Sequence, residues 1–403
     1  MLKIALRNIF RNRRRSLLSL TLIGLGAAIL FLVSGFVRES LTEMELGLAG
    51  SYGHLQIADT GFWDKFEEPK EYLLSGERLA SIESTLAAEA DVVSWSKQLE
   101  FTGLVGNAEK TAMILGSGDE IGNPTIEPMD SLIVSGHPLE GNDANQVLLG
   151  RLLAERLGVE PGDPINLAGF TVTESLNAMT IEVAGAFMFF SQAWEEQLAI
   201  VPLSLAQKLL RTDGVDKVIL RLSSLDVVEE TAQRLQSDFD ALGLGIEVKR
   251  WQEIAPFYSE MKTFWEALES LSTMGVFILA FFGIMQVLTM SFMERTREVG
   301  TIRAVGTKRR QVFGMLLFEG VLLGVLGGLM GVVLGFGLGS IINVSGLGWM
   351  YPGATEPMRV AIQLVLSNAI APLIIAVIAA FLSAIYPALH AARTNVVKAL
   401  HYV

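Results

Sequence analysis

ERTREVGTIRAVGTKRRQ, residues 294–311, is a short charged connector that lies between two long apolar runs. Only Glu294 and Glu298 offset its six cations, which are Arg295, Arg297, Arg303, Lys308, Arg309 and Arg310. Membrane-protein loops that are rich in Lys and Arg stay on the cytoplasmic side. The connector therefore predicts a membrane protein, and the sidedness of every other segment follows from placing this stretch in the cytoplasm.

The connector also has the pattern of a short amphipathic helix from Arg297 to Gly306. Val299, Ile302 and Val305 recur every three residues and would lie near one another, with the Arg side chains elsewhere. Two interpretations stay open. The helix could lie at the membrane surface and only fix the topology, or it could dock into a cleft of a soluble partner.

Four apolar runs are long enough to cross a bilayer, which takes about 20 residues of helix. The predicted transmembrane spans are 17–37, 270–293, 312–342 and 364–386, and Pro372 is predicted to kink the last one. The spans leave an amphipathic cytoplasmic N-terminus at 1–16, an external loop at 343–363 and a cytoplasmic tail at 387–403. The prediction is a multi-pass protein with both termini in the cytoplasm.

The composition agrees with a membrane protein. Hydrophobic residues make up 51% of the 403 residues and charged residues 18%, and the mean hydropathy is +0.44, which is too apolar for an ordinary soluble protein. Cysteine is absent, so disulfides, thiolate metal sites and cysteine nucleophiles are excluded.

Residues 38–269 predict one large α+β extracytoplasmic domain between the first and second membrane helices. Predicted strands lie at 54–58, 92–105, 111–115 and 246–249, predicted helices at 76–90 and 225–242. An inserted subdomain is expected at about 116–202, with a helix from Leu149 to Leu157. The domain holds about 16 basic and about 39 acidic residues, which suits a solvated exported domain or a surface for a cationic ligand.

Aromatic residues crowd the stretch AGAFMFFSQAWEEQLAIVPL, residues 184–203. Such a run is either a buried strand or an exposed apolar surface that touches an acyl chain or a partner protein. The predicted cargo or partner contacts are Phe187, Phe189, Phe190 and Trp194.

Glycines recur every four residues in the third span, a spacing that lets helices pack closely within a bundle or across a dimer. One ladder is Gly320, Gly324 and Gly328, and the other is Gly327, Gly331, Gly335 and Gly339. Glu319 precedes the ladders, and we expect it to extend towards Arg309 or Arg310 and to belong to the same packing elements.

Motifs of an enzyme are not visible in this sequence. The histidines, His54, His137, His390 and His401, lack the spacing of a metal site. The sequence contains no HExxH motif, no Gly-x-Ser-x-Gly elbow and no Gly-x-x-x-x-Gly-Lys-Ser/Thr loop. A non-catalytic chain is predicted, and any ATP must be bound by another polypeptide.

The connector resembles the stretch shared by the FtsX-like permeases, the membrane subunits of ABC transporters of the MacB and LolC/LolE type. The matching residues are Glu294, Arg295, Arg297, Glu298, Gly300, Arg303, Gly306, Arg309 and Arg310. The tail is similar through Tyr386, Pro387, Ala391, Ala392, Arg393, Ala399 and Leu400 but has Val396 and Lys398 where the family commonly has a Pro and an acidic residue. The exported domain is similar through Gly150, Leu153, Ala154, Leu157, Gly158, Gly162 and Asp163.

The resemblance implies a permease subunit in the bacterial inner membrane whose connector forms the coupling helix that contacts a cytoplasmic ABC ATPase dimer. The implied coupling residues are those nine together with Val299, Ile302 and Val305. ATP and Mg would be bound by the ATPase, with no cofactor on this chain. Further implied partners are a second permease subunit, identical or homologous, a periplasmic carrier or adaptor, and membrane lipid, but no nucleic acid.

Three functions follow from the resemblance as alternatives. The absence of a fused ATPase and the size of the chain favour lipoprotein release from the inner membrane. The second alternative is MacB-like efflux of small molecules or peptides. The third is an FtsX-like scaffold that activates a cell-wall hydrolase. In each case the motion of the ATPase would be transmitted through rigid helices to the exported domain.

Overall fold

The computed structural model describes residues 13–63, 72–123, 125, 132–189, 192–294, 296–350 and 357–393. The chain divides into two compact units. The helical unit comprises Met1–Glu43, Glu260–Trp349 and Arg359–Val403, and the α+β unit comprises Met44–Ser259 and Met350–Met358.

Long helices and short strands occupy different parts of the chain. The helices are α1 (Arg13–Tyr52), α2 (Gly76–Ala88), α3 (Arg151–Leu157), α4 (Gln192–Glu195), α5 (Leu203–Leu210), α6 (Val228–Ala241), α7 (Trp251–Ile254), α8 (Pro256–Glu294), α9 (Thr296–Ala304), α10 (Arg309–Ser345) and α11 (Ile370–Arg393). The strands are β1 (Leu55–Asp59), β2 (Val92–Gly106), β3 (Thr111–Asp119), β4 (Ile133–Gly136), β5 (Gln146–Gly150), β6 (Pro164–Phe170), β7 (Leu176–Phe187), β8 (Leu198–Pro202), β9 (Lys217–Leu222), β10 (Ile246–Arg250), β11 (Gly348–Trp349) and β12 (Met358–Arg359). Short 3₁₀ turns at Leu225–Val227 and Leu366–Ala369 precede α6 and α11.

Four of the described helices are long and apolar enough to cross a membrane, as the sequence predicts. These are Ser16–Tyr52, Phe257–Glu294, Arg309–Ser345 and Leu366–Arg393. The first two extend well beyond the predicted spans. The 40 residues of α1 and the 39 residues of α8 are each about 60 Å long, twice the roughly 30 Å of a hydrocarbon core. Residues 38–52 and 256–269, which the sequence places in the exported domain, are therefore helical continuations of these two helices.

The predicted kink at Pro372 is wrong. Helix α11 begins at Ile370, so Pro372 lies in its first turn, where the missing N–H would have no helical partner. The proline inside this helix is Pro387, which was expected to lie in the tail. The helix therefore continues to Arg393, seven residues beyond the predicted end of the span.

The two ends of the α+β unit's sequence form one antiparallel sheet with the strand order β10-β1-β9-β2. With α2 after β1 and α6 after β9, this is the ferredoxin-like split βαβ arrangement. Helix α6 forms because apolar residues recur at helical spacing behind the acidic first turn of Glu229 and Glu230. Its Leu235 and Phe239 and the Ile82 and Leu86 of α2 are buried in the shared core.

The chain between β2 and β9 forms a second structure, a closed ring of six strands. Strand β6 pairs with both β2 and β7, which completes the circuit β2-β3-β8-β5-β7-β6. Helix α5 packs against this ring, and a methyl group added at Gly118 on β3 would lie 2.3 Å from the Cβ of Ala206. One continuous core serves the ring and the sheet, because residues of both belong to the same cluster of buried side chains.

The ring changes two details of the predicted subdomain. Gly116 lies inside β3, and β2 belongs to both the sheet and the ring, so no boundary falls at residue 116. Leu149 belongs to β5 and the helix begins only at Arg151, because all five residues of β5 are buried and a short buried apolar run suits a strand as well as a helix. The helix ends as predicted at Gly158, which takes the left-handed conformation with φ +71°.

Candidate coupling site and the surfaces around it

Helix α9, the predicted docking helix, is attached to the helical unit along one side. Val299 is 6% exposed and lies in the same buried cluster as Ala388, Ala391 and Ala392 of α11. Gly300 is also buried. At the junction of α8 and α9, the Thr296 hydroxyl donates to the carbonyl of Met293 at 2.6 Å. The helix is thus fixed to the bundle by Val299 and Gly300.

The opposite side of α9 is open. Ile302 is 40% exposed and Val305 is 84% exposed. The predicted grouping of Val299 with these two residues is therefore wrong, because the bundle takes up Val299. Four cations of the connector are exposed, namely Arg297, Lys308, Arg309 and Arg310, whereas Arg303 is half-buried. Arg295 lies outside the described residues. Exposed apolar and basic side chains together make a surface that suits a protein partner with acidic groups.

The turn after α9 is defined by its backbone. Gly306 has φ +103°, a conformation that L side chains rarely adopt, and its N–H donates to the carbonyl of Arg303 at 3.0 Å. Helix α10 then begins with the N–H of Lys308 donating to the side-chain oxygen of Gln311 at 2.9 Å. The glycine in the predicted motif thus allows the backbone turn that ends α9.

The two glycine ladders of α10 pack against two different helices of the same chain. Methyl groups added at Gly320 and Gly324 would lie 2.6 and 2.8 Å from the Cβ atoms of Ala384 and Ala380 on α11. The ladder that includes Gly327, Gly331 and Gly335 faces α1, where the contacted residues are Ile23, Gly24, Ala27 and Phe31. Gly328 faces Leu373 and Gly339 faces Leu364. Of the two predicted roles, these glycines therefore serve packing within the bundle.

Glu319 lies inside the bundle. It is 6% exposed, whereas Arg309 and Arg310 are exposed on the first turn of α10. The extension of Glu319 towards these two arginines stays a prediction. A polar contact that the sequence analysis missed joins α8 to α11, where the Ser383 hydroxyl donates to the Phe281 carbonyl at 2.8 Å.

Helices α1 and α8 pack against each other in both units. In the helical unit the rings of Phe36 and Trp265 meet edge to face at 5.4 Å. In the α+β unit the Tyr258 hydroxyl donates to the Glu45 carboxylate, and Ala49 belongs to a buried cluster with Trp251 and Tyr258. Each contact joins residues that are more than 200 positions apart, so sequence periodicity could not pair them.

The aromatic run divides between core and surface. Phe187 is fully buried among Leu139, Leu148 and Ala184, so it cannot contact cargo and this prediction is wrong. Phe189 packs half-buried against the same cluster, Trp194 is 46% exposed, and Phe190 lies outside the described residues. Next to Trp194 the buried Glu195 carboxylate lies 3.0 Å from Nε of Arg151, which ties this segment to α3.

A buried polar cluster in the α+β unit was not predicted. The Asp216 carboxylate accepts a hydrogen bond from the Glu100 N–H at 2.6 Å, and the Lys217 ammonium lies 2.6 Å from the Glu100 carboxylate. Burial raises the pKa of Asp216 to about 7. Burial also raises the pKa of Asp119, which accepts hydrogen bonds from Gln98 and Ser117. Asp119 ends β3 and Asp216 directly precedes β9, and sequence alone does not distinguish acids at such positions from those of a solvated surface.

The histidines are dispersed, and the described residues contain no group of three metal-binding side chains. His54 accepts a hydrogen bond at Nδ1 from the N–H of Leu222 at 3.1 Å, and burial lowers its pKa. His390 stacks on Tyr386, and His137 lies in an exposed turn after β4. His401 lies outside the described residues, as do the rest of the tail from 394 and residues 1–12.

Two family models match the chain. One, described as a MacB-like periplasmic core domain, covers residues 16–238, and the other, described as an FtsX-like permease C-terminal domain, covers residues 271–396. The MacB-like model covers the first membrane helix and most of the α+β unit, and the FtsX-like model covers the membrane helices that follow. This is the order predicted from the sequence.

Similar proteins cover nearly all of the chain. YknZ of Bacillus subtilis, named an uncharacterized ABC transporter permease, is 23% identical over 420 residues, which is 100% of this chain and 98% of that protein. LolC of Xylella fastidiosa, a lipoprotein-releasing system transmembrane protein, is 25% identical over 412 residues, or 96% of this chain and 94% of that protein. The crystal structure of the periplasmic region of MacB from Actinobacillus actinomycetemcomitans aligns with 54% of this chain and 98% of that chain, with a TM-score of 0.36 and 12% identity.

The MacB-like family model alone covers more than half of the chain, and the FtsX-like model covers the helices and connector that follow it. The chain therefore belongs to the FtsX-like family of ABC transporter permeases, the membrane subunits of the MacB and LolC type, with four membrane helices and an extracytoplasmic α+β domain between the first and second.

Proposed function

We propose that this permease transmits the ATP-driven motion of a separate cytoplasmic ATPase dimer to its extracytoplasmic domain. The observation that carries the proposal is the two-sided character of α9. Val299 and Gly300 bury one side in the bundle, while Ile302, Val305 and the surrounding cations face away from it. A force applied to the open side would pass directly into α11, because the buried side packs against that helix.

Transmission would then follow the helices themselves. Helix α10 is in close contact with both α1 and α11 through its glycine ladders, so that these helices move together. Helices α1 and α8 each run without a break from one unit into the other. A continuous helix of about 60 Å can carry a displacement over its length.

A second permease subunit would complete the membrane part. Within the chain, 17% of the apolar segment of α8 is buried, compared with 39% for each of the other three membrane helices. The uncovered surface of α8 is the one we expect to face the second subunit or lipid. The connector and the tail would lie in the cytoplasm, and the setting would be the bacterial inner membrane.

Lipoprotein release is the cargo function we propose first. LolC, whose name describes a lipoprotein-releasing system, matches 96% of this chain, and the sequence contains no Gly-x-x-x-x-Gly-Lys-Ser/Thr phosphate loop. Trp194, exposed beside the anchored Glu195, is the aromatic residue best placed to contact an acyl chain. MacB-like efflux is the second candidate, supported by the match of residues 16–238 to the MacB-like model.

The test is purification of the intact complex from detergent, followed by reconstitution with an acylated reporter lipoprotein. We expect an ABC ATPase to copurify in a 2:2 ratio with permease chains and the reporter to leave the membrane only with ATP and Mg. Absence of a copurifying ATPase would contradict the coupling proposal. ATP-dependent transport of a small molecule, with the reporter retained, would replace lipoprotein release by efflux.

A further inference from the structure

His54 lies where the long helix α1 enters the sheet of the α+β unit. Helix α1 ends at Tyr52, Gly53 takes a left-handed conformation with φ +73°, and β1 begins two residues later. A Cβ added at Gly53 would lie 2.2 Å from Cγ2 of Ile219, so β9 packs directly on this turn. We call residues 52–55 the α1–β1 joint.

His54 fastens the α1–β1 joint by three hydrogen bonds. Its N–H donates to the Leu220 carbonyl at 2.8 Å, and its carbonyl accepts a hydrogen bond from the Trp251 N–H at 3.3 Å. The third bond uses the side chain, since Nδ1 of the imidazole accepts the Leu222 N–H at 3.1 Å. His54 therefore connects the end of α1 to strand β9 and to the start of α7.

The side-chain hydrogen bond can form in only one protonation state of the ring. A backbone N–H is always a donor, so Nδ1 of His54 must be the unprotonated nitrogen of a neutral imidazole, whereas both nitrogens of an imidazolium carry a proton. Protonation of Nδ1 would place two N–H groups against each other. The N–H of Leu222, a residue that is 2% exposed, would then lose its acceptor, which is costly for a buried donor.

The surroundings of His54 also favour the neutral ring. Burial lowers the pKa of His54, and the neighbouring Arg221 cation lowers it further. Other titratable or charged groups on the elements around it are Glu45 and Tyr52 of α1, Asp91 before β2, Lys217 of β9, Asp226 of the turn after β9, Lys249 and Arg250 of β10, and Glu253 of α7. Two of these cations have carboxylate partners, with Arg250 3.0 Å from Glu253 and Lys217 2.6 Å from Glu100.

We propose that the α1–β1 joint is a pH-sensitive latch, which is closed while the His54 ring is neutral and opens when acid protonates Nδ1. Opening would release the end of β9 from the joint, while the two backbone hydrogen bonds of His54 stay in place. Because α1 enters the domain at this joint, we expect the open latch to pass on less of a displacement of α1. That consequence rests on the proposed function, whereas the latch itself does not.

The direction of the pH dependence follows from the lowered pKa of His54. In the open form the ring should have the ordinary histidine pKa of about 6.5, and between that value and the lower pKa of the closed form only the open form binds the proton. The closed latch therefore has its full stability above about pH 6.5 and loses it as the pH falls, with a change in the opening equilibrium of up to about tenfold per pH unit. Asp216 has the opposite dependence, so the test must isolate His54.

Hydrogen exchange at the Leu222 amide tests the latch in the full chain in detergent. Its protection, expressed relative to the exchange rate of an unstructured amide at the same pH, should fall about threefold or more from about pH 7.5 to about pH 5. The Val183 amide is the control, because it is buried and donates to a backbone carbonyl, that of Asp163, at 3.0 Å. Its protection should not change with pH.

His54→Asn separates protonation of the ring from loss of the acceptor. The amide oxygen of Asn can take the place of Nδ1 and accept the Leu222 N–H, but it does not titrate. Protection at Leu222 should therefore stay high over the whole pH range in this variant. His54→Leu has no acceptor and should give low protection at every pH, and the Asn variant still decides the matter if the Leu variant does not fold.

Three results would overturn the latch. One is constant protection at Leu222 in the unaltered chain, and another is the same pH dependence in the unaltered chain and in His54→Asn. The third is a parallel fall at Val183, because acid would then loosen the whole domain and not the joint.

ATP-driven transport by the same chains keeps the latch and the proposed function apart. In proteoliposomes, the pH is lowered only on the side of the α+β domain, and transport should fall more in the unaltered chain than in His54→Asn. Exchange at Leu222 as expected, with equal transport in the two chains, would support the latch and refute its role in coupling. Absence of ATP-driven transport at every pH would refute the proposed function and leave the exchange result unaffected.

Discussion

Gly331 shows how closely the membrane helices approach each other at the level of one residue. A Cβ atom there would lie 2.4 Å from the backbone oxygen of Gly24, and backbone cannot move aside as a flexible side chain can. We expect Gly331→Ala to destabilise the bundle by about 1–3 kcal/mol, the usual cost of overpacking. Gly337→Ala is the matched control, because nothing lies within 4 Å of a Cβ at that position of the same helix. Thermal unfolding in detergent measures both, and equal melting temperatures would contradict the packing of α10 on α1.

Asp216 gives the extracytoplasmic domain a pH-dependent stability. Its pKa is raised from 3.8 to about 7 in the folded chain, so the folded state keeps a proton that the unfolded state has already released. The stabilisation is fully present below pH 3.8 and is lost as the pH rises through about 7, with a slope of up to about 1.4 kcal/mol per pH unit in between. Asp216→Asn should remove this slope because an amide does not titrate in this range, while its side-chain oxygen can still accept the hydrogen bond from the Glu100 N–H.

The measurement for Asp216 is a comparison of the two chains at several pH values. The unaltered chain should lose stability from pH 5 to pH 8, a range that includes the raised pKa of Asp216, whereas the Asn variant should not. The melting temperature of the Asn variant minus that of the unaltered chain should therefore increase with pH. Parallel curves over this range would show that Asp216 is ionised throughout and would contradict the raised pKa.

Phe187 and Trp194 show how much of this detail the sequence could predict. Both are aromatic residues of one short run, and composition alone left a buried strand and an exposed surface as alternatives. The structure buries Phe187 and exposes Trp194. The glycine ladders were recognisable from their spacing, but the helices they face were not, because a four-residue period identifies a face and says nothing about its neighbour.

At the scale of elements, α9 has one side buried in the bundle and one side exposed. Ile302→Asp alters the open side, so we expect the complex to keep its melting temperature and to lose most of its ATP-driven transport. Val299→Asp places a charge in the buried cluster with the alanines of α11, so we expect loss of the folded bundle itself, at a cost of several kcal/mol.

The two variants of α9 are compared in one preparation, with melting temperature and coupled transport as readouts. A transport-competent Ile302→Asp chain would contradict docking through the open side. A Val299→Asp chain with unchanged stability would contradict the attachment of α9 to the bundle.

The sequence predicted elements well where one pattern dominates. Four apolar runs gave four membrane helices, and alternation of apolar and polar residues predicted β2 and β3. The prediction from sequence failed at the C-terminal part of α1 and the N-terminal part of α8. Residues 38–52 and 256–269 are helical, but they are not apolar enough to be recognised as part of a membrane span. Leu149 was misassigned because a five-residue buried run has no distinctive period.

At the scale of the whole molecule, the closed ring and the pairing of α1 with α8 depend on contacts between distant segments. Strand β2 pairs with β6 through Gly103 and Gly169, among other residues. No local sequence pattern identifies such a distant partner strand. The order of the two family models nevertheless agrees with the predicted order of the segments, and from the charge asymmetry of the sequence we expect the connector and the α+β domain to lie on opposite sides of the membrane.

That arrangement can be tested directly because the chain contains no cysteine. Single cysteines are introduced at Val305, which is 84% exposed, and at Trp194, which is 46% exposed. A membrane-impermeant maleimide added to intact spheroplasts should label Trp194→Cys and leave Val305→Cys unlabelled, and disruption of the membrane should make both reactive to a similar extent. The proposed coupling requires an ATPase to approach α9 from the cytoplasm and the α+β domain to lie on the other side, so labelling of both cysteines in intact spheroplasts would remove the physical basis for coupling across the bilayer.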